Sequence, residues 1–315
     1  MFVGVDIGGT NTKIGIVSKL GRVVAISSFK TRAPREPHDF VKEIFSNIEK
    51  ILSANDLSLD TIEGIGVGVP GVVDDKGIVV NATNLKWKDV KLKEIFEEYT
   101  KKNIVIGNDA DCAMLAEWKF GGAKGSKNAI LVTLGTGIGS GIILDNKLYK
   151  GAHGTGSECG HMVIKFDGEQ CSCGNRGCWE MYASAKALTR RTEQAVLENP
   201  NGILNKIVSQ YGRASAHSCF EGARKGDAIS KKLVDEYIDY VVCGLINLTQ
   251  IFHPEIFILG GGVAKEGPGF IKAVDSKVNE FLTKNNFEPK VVVKGPVLEN
   301  NAGIVGAAAL AMGDK

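Results

Sequence analysis

Three cysteines fall within eight residues, Cys171-Ser172-Cys173-Gly174-Asn175-Arg176-Gly177-Cys178, and Glu158-Cys159-Gly160-His161 lies just upstream. A Cys-x-Cys pair with a third cysteine five residues on offers three soft ligands, and His161 offers a fourth. A Cys3His set closes a tetrahedral zinc site with no open position, so the metal would be structural rather than hydrolytic. A zinc-bound imidazole is neutral, and its other ring nitrogen keeps a proton to donate. Glu158 and Glu180 flank this site as acceptors. A neutral donor between two carboxylates suits a polyol, whose vicinal hydroxyls need donors and acceptors in fixed places.

Glycine-rich bends supply a second kind of chemistry. In Asp6-Ile7-Gly8-Gly9-Thr10-Asn11-Thr12-Lys13, paired glycines let the backbone approach an anion, and the following side chains add donors. Asp6, at the end of a strand, is placed to hold a hydrated magnesium ion; a plain tight hairpin explains the same residues. Leu134-Gly135-Thr136-Gly137-Ile138-Gly139-Ser140-Gly141 repeats the device. It lacks the spacing of a Walker A loop, and a strand rather than a helix follows it, which argues against a Rossmann dinucleotide site. Gly260-Gly261-Gly262 follows an apolar run, at the carboxyl end of a strand where α/β sheets take ligands. Asn108-Asp109 follows another strand; Asp109 there is either a helix cap or a base that accepts a hydroxyl proton.

The elements that must carry these residues read as mixed α/β. Strands are expected at Phe2–Ile7, Thr12–Ser18, Arg22–Phe29, Gly64–Val69, Ile104–Ile106, Ala129–Leu134, Ile138–Leu144, Asn146–Lys150, Glu255–Leu259 and Val291–Val293. Phe40, Val41, Ile44, Phe45, Ile48, Ile51 and Leu52 keep the 3.6-residue period of a helix. Lys91–Tyr99 is expected to be helical, and a further helix runs from about Asp109 to Phe120 and stops at Gly121-Gly122. Helices fill most of Ala183–Phe252, and Ala302–Met312 is a helix of small apolar residues. Strand, Gly/Thr bend, strand occurs in both halves, which suggests a duplicated architecture.

With 315 residues, two domains of roughly 150 residues are expected. Hydrophobic residues at 43% and charged residues at 23% exclude a disordered or disulfide-stapled chain. Lys+Arg of 38 against Asp+Glu of 36 leaves +2, which gives no basic face for nucleic acid or a membrane surface. No apolar run reaches the roughly 18 residues of a membrane span. Met1–Asp6 reads as a strand without a basic leader. The expectation is a cytoplasmic protein with no nucleic-acid or membrane partner.

Taken together, Asp6-Ile7-Gly8-Gly9-Thr10, Gly135-Thr136-Gly137, Glu158-Cys159-Gly160-His161 and Cys171-x-Cys173-Gly174-x-x-Gly177-Cys178-x-Glu180 resemble the ROK family of sugar kinases and repressors, most nearly its bacterial glucokinases. The resemblance spans residue 2 to the small-residue helix. It implies an α/β, actin/hexokinase-like (ribonuclease H-like) fold with two domains around a cleft. Residues 1–118 with 300–315 would form one lobe and 119–299 the other, the last helix crossing back to the first. The implied activity is ATP-dependent phosphorylation of the 6-hydroxyl of glucose. Asp109 would be the general base. Asn108, Glu158, His161 and Glu180 would bind sugar hydroxyls, with Gly71 and Asn84 completing the pocket. ATP and Mg²⁺ would contact Asp6, Gly8, Gly9, Thr10, Asn11, Thr12 and Lys13 on one hairpin, Thr133, Gly135, Thr136 and Gly137 on the other, and Gly260, Gly261 and Gly262 on the adenine side. Zn²⁺ would be held by His161, Cys171, Cys173 and Cys178. A homodimer or higher homo-oligomer is implied.

Mannose, fructose or an N-acetylated hexosamine could replace glucose, and polyphosphate could replace ATP. A non-catalytic sugar-sensing protein of the family is the other alternative. The family's repressors carry a helix-turn-helix ahead of the kinase-like part, and with a hairpin starting at residue 2 none is expected here.

Overall fold

A computed structural model describes residues 1–313. In chain order its elements are β1 (Phe2–Ile7), β2 (Asn11–Val17), β3 (Val23–Lys30), α1 (Pro37–Ser53), β4 (Gly64–Val69), β5 (Val72–Val73), β6 (Val79–Ala82), β7 (Trp87–Val90), α2 (Leu92–Glu97), β8 (Asn103–Asn108) and α3 (Asp109–Phe120). There follow β9 (Ala129–Leu134), β10 (Ile138–Leu144), β11 (Lys147–Leu148), α4 (Glu180–Ala183), α5 (Ala185–Glu198), α6 (Ile203–Tyr211), α7 (Ala216–Arg224), α8 (Ala228–Phe252), β12 (Ile256–Gly260), α9 (Pro268–Lys284), β13 (Val292–Lys294) and α10 (Ala302–Met312). Two compact units result: Met1–Lys127 with Gly141–Ser157 and the chain from Pro296 onward, and Asn128–Ser140 with Glu158–Gly295.

In the first unit, β1 and β2 form an antiparallel hairpin, while β4 and β8 run parallel to β1, in the order β3-β2-β1-β4-β8. The alternation of β1 and β2 puts Val3, Val5, Ile7, Ile14 and Ile16 into one core with Phe40, Ile44 and Ile48 of α1. That helix starts where Glu36 accepts a hydrogen bond from the His38 amide at 2.7 Å, with Pro37 at its first position. On the other side of the sheet lies α10. A Cβ added at Gly4 would run into the Ile304 carbonyl, and one at Gly66 into the Ala307 carbonyl. Bare strand backbone and small helix residues together permit this close approach, which explains the composition of the C-terminal helix.

The second sheet has the order β11-β10-β9-β12-β13, with β12 parallel to both β9 and β13. The division between units falls inside β10. Six helices, α4 to α9, belong to the second unit. Trp179, fully buried, donates its Nε1–H to the Tyr240 carbonyl of α8 at 2.7 Å. Gly244 of α8 leaves room for the indole, since any Cβ there would collide with it.

The expected lobes, 1–118 with 300–315 and 119–299, differ from this grouping chiefly at Gly141–Ser157. Gly141 brings β10 against α3: an added Cβ would stand 2.6 Å from the Met114 Cβ and 2.7 Å from the Ala110 carbonyl oxygen. That packing draws the following segment to the first unit. The small sheet β5-β6-β7 adds to the expected strands, and the expected Asn146–Lys150 strand shrinks to Lys147–Leu148. Among the described residues, no helix is long and apolar enough to cross a membrane.

Candidate functional site

In the first unit the candidate residues collect at the carboxyl ends of the parallel strands β1, β4 and β8, where such sheets take ligands. Asp6 lies next to Gly68 in register, and Val69 next to Asn108. Asn108 caps α3, its Oδ1 accepting from the amides of Ala110 at 2.7 Å and Asp111 at 3.3 Å. Its Nδ2 donates to the Gly71 carbonyl at 2.7 Å, which ties the bend after β4 to the start of α3. Capping therefore falls to Asn108, and Asp109 becomes the first helical residue, with an exposed side chain. Its Oδ1 also accepts from the Ala110 amide at 2.9 Å, so its carboxylate sits where helix N–H groups favour negative charge.

The first hairpin bend closes through the Gly8 amide donating to the Asn11 carbonyl at 3.0 Å. Gly9, Thr10 and Asn11 are exposed. Asn84, in the bend between β6 and β7, packs beside Gly9. Asp6 pairs with Lys13 across the hairpin, and Gly303 of α10 lies against its carboxylate. Burial pushes the Asp6 carboxyl above its usual range, and Lys13 opposes that shift. Thr12 is placed differently from its expected partners. It is fully buried, and its hydroxyl shares a 3.0 Å hydrogen bond with that of Thr31, whose own hydroxyl donates to the Gly8 carbonyl at 2.6 Å. It braces the bend from beneath.

In the second unit, β9 and β12 end side by side, with Thr133 opposite Gly260. Gly261 has φ +85°, and a Cβ there would lie 2.5 Å from the Leu134 carbonyl oxygen, so glycine is required at this crossing. The Gly260–Gly262 loop and the Gly135–Gly137 bend are thereby neighbours. The bend is held by the Gly135 amide donating to the Gly137 carbonyl at 3.0 Å, and Thr136 at its tip is exposed.

The cysteine-rich loop folds onto the segment that carries His161. The Ile164 amide donates to the Gly177 carbonyl at 3.0 Å and the Trp179 amide to the Met162 carbonyl at 2.8 Å. This brings together a ring nitrogen of His161 and the sulfurs of Cys171, Cys173 and Cys178, all within 4.8 Å of one another. Cys171 Sγ lies 3.6 Å from His161 Nδ1, and Cys173 Sγ 3.6 Å from Cys178 Sγ. A tetrahedron with metal–sulfur bonds of about 2.3 Å and metal–nitrogen bonds of about 2.0 Å has edges of roughly 3.5–3.8 Å. The four groups therefore fit a tetrahedral metal ion. Burial, reinforced by hydrogen bonds from its neighbours, pushes the Cys178 thiol up to about 12, and burial also raises Cys171; a backbone hydrogen bond at Asn175 lowers the exposed Cys173.

Glu180 joins this cluster to the glycine bend. Its Oε1 accepts from the Cys171 thiol at 3.3 Å and lies 3.8 Å from His161 Nδ1. Its Oε2 accepts from the Ile138 amide at 3.4 Å. Glu158, on the other flank, has its carboxyl raised by desolvation; His161 opposes the shift and Glu180 adds to it. His161 meets the Cys171 thiol with Nδ1, which leaves Nε2 for another partner.

Residues 2–314 match the ROK family model. The chain belongs to the ROK family. A glucokinase of Streptomyces coelicolor is 35% identical over 316 residues, covering 98% of this chain and 96% of the relative. A xylose repressor of Caldicellulosiruptor bescii is 29% identical over 318 residues, covering 99% of this chain and 78% of that protein. The crystal structure of a ROK family glucokinase from Streptomyces griseus in complex with glucose and AMPPNP superimposes with a TM-score of 0.84 at 33% identity, covering 99% of both chains. The fold is the actin/hexokinase-like fold that the sequence motifs imply.

Two features of these surroundings escape sequence reading. The amide of Asn108 is engaged in capping α3 and tying down Gly71. The carboxylate of Glu180 contacts both the bend and the metal-type cluster.

Proposed function

We propose that this ROK protein is an ATP-dependent sugar kinase that phosphorylates the 6-hydroxyl of glucose. The observation that carries the reading is Glu180, whose single carboxylate touches a phosphate-type glycine bend with one oxygen and a Cys3His cluster with the other. Nucleotide and polyol recognition would then share one rigid group. Similarity to glucokinases over nearly the whole chain supports the same reading.

In this mechanism Asp109 takes the proton of the sugar hydroxyl as its oxygen bonds to the γ-phosphorus, while the bond from that phosphorus to the β–γ bridging oxygen breaks and ADP leaves. Asn108 fixes Asp109 by capping α3, so the base is presented on a rigid helix start. Glu158 and Glu180 accept hydrogen bonds from sugar hydroxyls, and His161 Nε2 donates one. Gly71 and Asn84 complete the sugar contacts. The amides of the Gly8–Asn11 and Gly135–Gly137 bends stabilise phosphate charge, with Gly260–Gly262 toward the nucleoside end. Thr10, Lys13 and Thr133 add donors, and Thr12 acts through the bend it braces. Magnesium, held through water by Asp6, would neutralise charge on the phosphates. Zinc, held by His161, Cys171, Cys173 and Cys178, would stiffen the loop and fix the tautomer of His161. The protein is read as a cytoplasmic homodimer or higher homo-oligomer.

A coupled ADP-release assay over glucose, mannose, fructose and N-acetylglucosamine tests this. Release that is greatest with glucose is the expected result. Sugar binding without ADP release would favour a sensor, a reading motivated by the xylose repressor relative. No response to any hexose would defeat both.

A further inference from the structure

The Gly260–Gly262 loop leads into a single 3₁₀ turn, Val263–Glu266, and then into α9. Glycines with positive φ bracket this turn, Gly261 at +85° and Gly267 at +107°. Both Gly262 and Gly267 face open space, with no atom within 4 Å of an added Cβ. Such a segment has little of its own to fix it. Val263 and Glu266 are two of the side chains that tether it. Val263 is 2% exposed and anchors the start in the core. Glu266 anchors the end, although it is a carboxylate and only 7% of its side chain is exposed.

Both oxygens of Glu266 are taken by α7. His217 Nδ1 lies 2.8 Å from Oε1, and Arg224 Nη1 donates to Oε2 at 3.0 Å. His217 and Arg224 are seven residues apart, two helical turns, and so share one face of α7. Glu221 lies on that face between them, its Oε2 4.0 Å from His217 Nε2; it takes hydrogen bonds from the Tyr211 hydroxyl of α6 at 2.6 Å and from Lys225 at 2.6 Å. Tyr211 also meets the His217 ring edge to face, with centroids 5.7 Å apart. The chain of contacts thus runs from α6 through α7 to the turn. A buried carboxylate keeps its place only while its partners remain.

We propose that His217, Arg224 and Glu266 are positioning residues that hold the Gly260–Gly262 loop in its nucleotide-competent form and so set the affinity for ATP without touching the reacting atoms. The inference rests on the reading of that loop as part of the nucleotide site. Releasing Glu266 lets the turn swing between its two glycines, and the competent fraction of the loop falls. The apparent dissociation constant rises by the inverse of that fraction. The effect is confined to the nucleotide, because Glu158, His161 and Glu180 lie on a different segment of the unit.

The test replaces the exposed partners, since His217 and Arg224 are 54% and 49% exposed and their truncation leaves the core packed. In His217→Ala and Arg224→Ala, a fall of the competent fraction to one-tenth would raise KM for ATP about tenfold. KM for glucose and kcat should stay within about twofold, as expected when only uniform binding is lost. Arg224→Lys, which keeps the charge, should recover part of the loss. Binding of a non-hydrolysable ATP analogue, followed by calorimetry, should weaken in parallel. Unchanged ATP affinity in both alanine variants, with normal wild-type binding, overturns the clamp alone. Equal changes in both KM values and kcat also overturn it, because they mark a merely structural role. A wild type that binds no analogue brings down the reading of the loop and the clamp with it.

Discussion

Gly137→Ala separates the fold from the site. A Cβ at this position would stand 2.6 Å from Glu180 Oε2 but 3.7 Å from its Cδ. Ordinary contact begins near 3.4 Å, so the oxygen must retreat by about 0.8 Å while the rest of the side chain stays. Gly137 does not occupy the left-handed region, so alanine adds no backbone strain. The retreat weakens the Ile138 amide bond to Oε2, already long at 3.4 Å. A bond of this kind contributes about 0.5–1.5 kcal/mol, so the melting temperature should fall by only a few degrees. The catalytic effect should be far larger, because a displacement near 1 Å in a positioning group can cost on the order of 100-fold. Sugar KM and kcat, measured by coupled ADP release beside a thermal melt, give both numbers. A variant with normal sugar KM and kcat would refute the claim that Glu180 holds the sugar from the glycine bend.

Further expectations follow from other contacts. Cys173→Ser changes an exposed residue and should leave the core intact, yet lose stoichiometric zinc by elemental analysis and raise sugar KM; full zinc content would remove Cys173 from the ligand set. Chelation should do the same to the wild type and act faster at acid pH, since the Cys178 and Cys171 thiols, both raised, must release protons to bind metal. Asp6→Asn should raise the melting temperature at pH 7 while lowering activity. The buried Asp6 carboxyl has a raised pKa, so its charged form costs stability above that pKa, and the gain should vanish at acid pH where the wild type is protonated. A gain that persists at acid pH would contradict that cause. Asn108→Ala loses a helix cap and the bond to Gly71, for about 1–3 kcal/mol of stability, read as a lower melting temperature together with reduced kcat.

Much of this architecture is legible in the sequence because its signals are local. The bounds of β1, β4, β9 and α10 follow from apolar runs that end at glycine or proline. The Cys-x-Cys spacing and His161 suffice to assemble the metal-type cluster. The sheet β5-β6-β7 is not legible because strands of only two to four residues are too short to show a periodic pattern. Thr12 reads as a phosphate donor until Thr31, nineteen residues away, is seen to take its hydroxyl. The tie between Glu180 and Ile138 spans 42 residues, and that between Glu266 and His217 spans 49. Neither leaves a trace in spacing, because both depend on how separate elements pack.

The central claim is that Asp109 accepts the proton of a bound sugar hydroxyl. Glucose binding by calorimetry and ADP release, measured together on the wild type and Asp109→Asn, test it most directly. Turnover should fall by several orders of magnitude in the variant while glucose still binds with similar affinity. A variant that retains near-normal kcat would contradict the account.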